Sequence, residues 1–365
     1  MNSRDLLIKK KAPPPPPSEN IFQRHSLFLS VLFIGLFFLY IIFDSLSPHL
    51  PKYNTPPHLY SNQCQRDLRL TLLEAINQSK ESIHLVMFGL SDGPILSAIS
   101  QKAKQGIDVN IYYDPKGSPR IDLLLENAKI HPITSRGLMH QKILVIDHEV
   151  IFIGSANMTT ASLRMHDNLM IGLVNRKTAQ FLEEKTPHHS GYIKATVGGQ
   201  ELEVWLLPDP RGHALSDLRK KIRAAQRSIR IALFTYTHPP LIEEVIAAHR
   251  RGVEVSVIID MHSGLGASAK GIQQMHKERV PIFISQGVQL MHHKFLWIDE
   301  KILLTGSANW TKSAFYKNSD CFVALHNLNA QQKTFMKKLW RQLKTEAKSL
   351  YTEEDMMDNH RKEAH

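Results

Sequence analysis

The sequence has 365 residues, 42% of them hydrophobic and 22% charged, which supplies a sizeable core and excludes an intrinsically disordered chain. Basic residues outnumber acidic ones by 45 to 34, and the resulting charge of +11 favours anionic partners (nucleic acid, acidic lipid or a phosphorylated small molecule) without choosing among them. Two cysteines, Cys64 and Cys321, are too few for a disulfide scaffold and lack the clustered spacing of a zinc site; free thiols are preferred to a single bridge.

In chain order, the first element is an uncharged apolar run from Leu27 to Phe43. At about 1.5 Å rise per residue it reaches roughly 25 Å, the short end of a bilayer span. It has no polar stripe of the kind a core helix shows. Cleavage as a signal peptide at Ser45-Leu46-Ser47 is disfavoured by Pro48. The run therefore predicts an uncleaved single-pass anchor. Arg4, Lys9, Lys10, Lys11 and Arg24 precede it and only Lys52 closely follows, so the positive-inside rule puts the N-terminus in the cytoplasm and the rest on the far side. Pro13 to Pro17 reads as a polyproline II spacer. The predicted organisation is a basic, Pro-rich tail (1–26), the anchor (27–43), a linker (44–64), a first repeat (65–190), a junction (191–210), a second repeat (211–347) and a polar tail (348–365).

The repeat is visible as aligned segments. Ser82-Ile83-His84-Leu85-Val86-Met87-Phe88 matches Ser228-Ile229-Arg230-Ile231-Ala232-Leu233-Phe234, and Gly106 to Val109 matches Gly252 to Val255, both at an offset of 146. Gly-Ser-Ala-Asn recurs at 154–157 and 306–309, an offset of 152, the difference being a loop insertion. Each half predicts a helix (68–79; 215–225), an apolar strand, a second helix (95–104; 241–251) ending near Gly, a β-branched strand (107–113; 253–259), a weaker helix and further short strands. Alternating strands and helices predict an α/β fold of two duplicated α/β/α halves packed together.

His140-Gln141-Lys142, four apolar residues and Asp147 in the first half correspond to His292-His293-Lys294, four apolar residues and Asp299 in the second. In both, the Gly of Gly-Ser-Ala-Asn lies 14 residues after the His. Residues two apart on a strand share a face, so each His projects with its Lys, a nucleophile or acid beside a positive charge. The aspartates, at odd parity and at a turn, read chiefly as turn and hydrogen-bonding residues. Ser155 and Ser307 read as caps of anion-binding helix N-termini, and the Asn157 and Asn309 amides as donors to a phosphoryl oxygen.

These two motifs resemble the signature of the phospholipase D superfamily, His-Lys-Asp followed by Gly-Ser-x-Asn, and the likeness extends from residue 65 to about 345. The resemblance implies two-step phosphoryl transfer without metal or cofactor. One His attacks phosphorus, the other protonates the leaving oxygen and then activates water or an alcohol. It implies a catalytic set of His140, Lys142, Asp147, His292, Lys294 and Asp299, with His140 as nucleophile. It also implies a downstream acid that orients a His: Asp320 fits in the second half, whereas its counterpart is Asn168, with Asp167 beside it.

Other features have plainer readings. His188-His189 reads as a solvated loop and not a metal site, and His293 as a packing residue. Arg219, Lys220, Lys221, Arg223, Arg227 and Arg230 form a basic helical face whose default is solvation, with anionic lipid or nucleic acid as the alternative. Met139, Met158, Met291 and Trp310 read as core or as an acyl-chain pocket. A membrane-anchored phospholipase is the favoured reading. A nuclease on DNA or RNA, or a phosphatidyltransferase of cardiolipin-synthase type, is the alternative, and two intact motifs argue against a catalytically dead binding module. One chain holds both half-sites, so a monomer suffices.

Overall fold

The computed structural model describes residues 21–46, 48–134, 137–287 and 289–350. The basic cluster Arg4 to Lys11, the Pro13–Pro17 spacer and the tail beyond Leu350 lie outside them. The chain divides into two compact units, Met1–Ser47 and Pro48–His365.

The first unit is described as one helix, α1 (Ile21–Leu46). Its large apolar side chains from Phe28 to Tyr40 are exposed. Among the described residues, no helix is long and apolar enough to cross a membrane, so the span expected at Leu27–Phe43 is not shown here.

The second unit holds two mixed sheets. The first uses β1 (His58–Tyr60), β2 (Ser82–Met87), β3 (Asp108–Tyr113), β4 (Lys129–Pro132), β5 (Lys142–Ile146), β6 (Val150–Gly154) and β7 (Met170–Val174), in the order β1-β7-β6-β5-β2-β3-β4. The second uses β8 (Gly191–Val197), β9 (Gln200–Leu206), β10 (Ser228–Leu233), β11 (Glu254–Ile259), β12 (Ile282–Ser285), β13 (Lys294–Ile298), β14 (Ile302–Gly306), β15 (Cys321–Leu325) and β16 (Ala347–Ser349). Its order is β16-β12-β11-β10-β13-β14-β15-β9-β8, which contains the first sheet's order reversed, with β9 in the place of β1.

Strand alternation explains the unbroken apolar runs after each Lys. Leu144 and Ile146 pack outward with α2 (Leu68–Asn77) and α3 (Gly93–Lys104), while Ile143 and Val145 pack inward. Likewise Leu296 and Ile298 meet α6 (His213–Arg223) and α7 (Pro239–Arg250), while Phe295 and Trp297 turn inward. The inner faces of both sheets share one core, so the layers run helix, sheet, sheet, helix. Each fully buried aliphatic side chain there contributes about 1.5–3 kcal/mol. The predicted helices start at side-chain caps on Asp67 and Asp92 in the first repeat. The glycines expected at helix ends, Gly106 and Gly252, have φ of 88° and 85°, a conformation that costs an L side chain.

Three boundaries differ from the sequence reading. The linker contributes β1, which pairs antiparallel with β7. The junction is the β8–β9 hairpin, joined to β15, because Gly198 and Gly199 both take positive φ and so form a two-residue turn and not a loose linker. The tail begins with β16, paired with β12. The weaker helix is present in the second repeat as α9 (Ala269–Lys277), but in the first only a 3-10 turn at Ile121–Leu123 takes its place.

Candidate active site

His140 and His292 sit in the loops that enter β5 and β13, two residues before each strand begins. Backbone bonds fix these loops: Phe88 N–H donates to the Gln141 carbonyl at 3.2 Å, and Phe234 N–H to the His293 carbonyl at 2.9 Å. Buried Asp114 and Asp260 accept from Met139 N and Met291 N, each at 3.1 Å. Both aspartates end an aligned strand, yet their part in the site carried no motif.

Each half then reaches into the other. His140 N–H donates to the Ser319 carbonyl at 2.8 Å and His292 N–H to the Asp167 carbonyl at 3.0 Å. These crossings set each histidine against the orienting residue of the opposite repeat. His140 Nδ1 lies 2.8 Å from Asp320 Oδ1, and His292 Nδ1 lies 3.1 Å from Asn168 Oδ1. With Nδ1 bonded to an acceptor oxygen, each ring carries its hydrogen there and keeps the Nε2 lone pair for chemistry.

The lysines are buried with their histidines. Lys142 Nζ donates to the His140 carbonyl at 2.5 Å and lies 5.1 Å from the Phe88 ring centre. Lys294 Nζ donates to the His292 carbonyl at 2.8 Å and lies 5.2 Å from the Phe234 ring centre. The same rings flank the histidines, with centroids 5.2 Å (Phe88 to His140) and 5.4 Å (Phe234 to His292) apart. Phe88 and Phe234 close the aligned run of the repeat, and that periodicity was the one signal pointing to them.

Burial dominates the electrostatics of the pocket and favours the neutral forms of its histidines and lysines. Burial first, then Lys142, lowers the His140 pKa, while Asp320 opposes them. Burial, Lys294, Lys142, His140 and His166 hold His292 well below the usual histidine value. Burial brings Lys142 down to about 7 and, with Lys142 as neighbour, takes Lys294 well below its ordinary value. Burial pushes the Asp320 carboxyl up, but His140, Lys142 and the Ser307 hydroxyl outweigh it and keep the carboxylate ionised. Such a site gains from an arriving anion, which restores proton affinity to both lysines.

Several expected site residues take other places. Asp147 and Asp299 occupy the turns at the far ends of β5 and β13, about 20 Å along the chain from the histidines at roughly 3.3 Å per residue. With φ of 51° and 52° they accept backbone N–H bonds, from Lys80, Glu81 and Ser82 and from Gln226, Arg227 and Ser228 respectively. The turn reading describes both, and the structure does not bring either carboxylate to the histidines. Ser155 and Ser307 are fully buried and donate to Asn168 Oδ1 (2.8 Å) and Asp320 Oδ1 (2.7 Å). They do not cap the helices that follow. The caps are Thr159 of α4 (Thr160–Arg164) and Thr311 of α10 (Lys312–Tyr316). Gly154 and Gly306 serve strand approach: a Cβ would meet Leu169 O at 2.3 Å or Cys321 O at 2.2 Å. Asn157 and Asn309 follow these strands, and the buried Oδ1 of each has no partner.

The plainer readings fare well elsewhere. Met139, Met158 and Met291 are fully buried, and Trp310 is 6% exposed, so they are core. Both cysteines are free and buried. The basic helix is largely paired: Arg219 and Arg223 with Glu244, Lys221 with Glu203 and Asp217. Glu201, Glu203 and His326 gather three ligand-type atoms, but Lys194 and Lys221 already neutralise the two carboxylates.

Fold and site define a duplicated α/β protein with a single shared centre of two histidines and two lysines. The chain belongs to the family described as cardiolipin synthase, PLD-like domain, matching it at residues 72–189 and 218–345. It is 34% identical over 132 residues to a mitochondrial cardiolipin hydrolase of Xenopus laevis, covering 35% of this chain and 62% of that protein. It is 33% identical over 102 residues to a cardiolipin synthase of Alkalihalophilus pseudofirmus, covering 25% of this chain and 20% of that one. The match thus spans less than two thirds of either relative. Among solved structures, phosphatidylserine synthase of Haemophilus influenzae covers 84% of this chain and 90% of its own at TM-score 0.63 and 14% identity, a likeness of fold.

Proposed function

We propose that the chain is a phospholipase D-type phosphodiesterase acting on phospholipids. The observation that carries this is the pair of histidines, each with Nδ1 held by an acceptor from the opposite repeat and each with a buried Lys beside it. With His292 protonated on Nε2 when the anionic substrate binds, His140 Nε2 attacks phosphorus, the P–O bond to the leaving group breaks, and His292 passes that Nε2 proton to the departing oxygen. Water then attacks phosphorus, His292 takes a proton from it, and the P–N bond to His140 breaks. Lys142, Lys294 and the Asn157 and Asn309 amides face the charge that grows on the phosphoryl oxygens. A lipid substrate is supported by family membership and by relatives named for cardiolipin hydrolysis and synthesis. The last of these also favours a second reading, in which an alcohol replaces water as acceptor.

The same reading retains the N-terminal anchor, with the N-terminus cytoplasmic and the catalytic unit extracytoplasmic. Its support is the uncharged run Leu27–Phe43 and the helix through it. The test is to incubate the full chain, in detergent and chelator, with anionic phospholipid vesicles and with single-stranded DNA. Release of lipid head groups or exchanged phosphatidyl products is expected, and release of nucleotides alone would overturn the lipid assignment.

A further inference from the structure

The two histidines have unlike partners. Asp320 gives His140 a carboxylate, whereas Asn168 gives His292 an amide. The amide's orientation is fixed by its surroundings. Its Nδ2 donates to the Ser162 carbonyl (3.0 Å) and hydroxyl (3.2 Å), and the carbonyl can only accept. Its Oδ1 therefore faces the Ser155 hydroxyl (2.8 Å) and His292 Nδ1. Asn168 is fully buried.

We infer that Asn168 is a positioning residue that makes the two histidines non-interchangeable, holding His292 in the right tautomer while denying it a counter-charge. A ring that forms a bond to phosphorus becomes cationic and needs a nearby anion, which Asp320 supplies to His140 alone. A positive His292 faces Lys294 on β13, Lys142 on β5, His140 and His166. The carboxylates around the two loops act elsewhere or are held protonated: Asp320 bonds His140, Asp260 the backbone of Met291, and burial raises the Asp167 carboxyl to about 7. His292 thus readily releases a proton, as an acid serving a poor leaving group must, and serves badly as the phosphorylated group. The inference rests on the proposed reaction for its meaning but not for its measurement.

Residue-specific histidine titration of the full chain, by C2 hydrogen–deuterium exchange and mass spectrometry, reads it directly. His292 is expected to titrate below His140, and Asn168→Asp to raise His292 toward His140. With an alkyl phosphodiester such as dimethyl phosphate or a lyso-lipid, the alkaline limb of kcat/KM should move upward by the same shift. A merely structural Asn168 would alter melting temperature and leave both readouts in place. His292 titrating at or above His140 in the natural chain, or unmoved in Asn168→Asp, overturns the inference. A shifted titration without turnover of any phosphodiester upholds the role of Asn168 and removes the catalytic reading instead.

Discussion

Asp320 Oδ1 lies 2.8 Å from Nδ1 of His140, a residue 180 positions earlier and in the other repeat. The exchange is reciprocal, since Asn168 of the first repeat holds His292 of the second. Neither half holds its own histidine, so the site needs both repeats together.

Asp320→Asn should therefore damage His140, not His292. The variant loses the counter-charge and places an NH2 near the Asn318 amide, which now lies 3.4 Å from Asp320 Oδ2. A fall in kcat of about 10²- to 10⁴-fold is expected, by analogy with loss of the orienting carboxylate in other His pairs. Far-ultraviolet circular dichroism should be unchanged; kinetics within a few fold of the parent would contradict the assignment.

The two histidines should separate by leaving group. With a p-nitrophenyl phosphodiester, whose leaving group needs no proton, His292→Asn should still form an alkali-stable phosphoenzyme and accumulate it. His140→Asn should form none. Both should be inactive on lipid. Mass spectrometry after alkaline quench decides, and a phosphorylated His292 in the parent chain would reverse the roles.

Asp147→Ala and Asp299→Ala should cost stability and spare turnover. Each carboxylate accepts three backbone N–H groups at the start of a central strand. Losing them is expected to cost about 1–3 kcal/mol, a drop of several degrees in Tm. An equal loss of kcat in well-folded protein would return these residues to the reaction.

Asp167 predicts a pH dependence of stability. Burial, with Glu346 and Asp260 adding, raises its carboxyl to about 7. Below about pH 4 it is protonated whether folded or not, and it costs nothing. As pH rises from there to 7, the unfolded chain releases this proton and the folded one keeps it, so stability falls. Asp167→Asn removes that slope: its Tm should match the parent below about pH 4, exceed it increasingly up to about pH 7, and exceed it by a constant amount beyond. A difference independent of pH would show that Asp167 titrates normally.

Much of this was legible because periodicity and spacing are local. The runs after Lys142 and Lys294 announce strands buried on both faces, and the repeat offsets place both His-Lys pairs. The residue-based reading of Asp147 and Asp299 as turn residues matches their place at the ends of β5 and β13. What was not legible depends on contacts between halves. No spacing announces that Asp320 serves His140, because the pairing is made by two short backbone crossings at Ser319 and Asp167. Ser155 and Ser307 were misread because a hydroxyl before a helix looks like a cap, while the true caps lie four residues on. The junction at 191–210 gave no sign of being a hairpin, because a tight turn and an irregular connection share the same glycines.

The central claim is that His140 and His292 meet across one phosphorus atom. A crystal structure of the full chain with orthovanadate tests it most directly. The account predicts a five-coordinate vanadium with His140 Nε2 at one apex, the His292 side at the other, and Lys142 and Lys294 on the equatorial oxygens. Vanadate bound by one histidine alone, with the other ring turned away or out of reach, would contradict it.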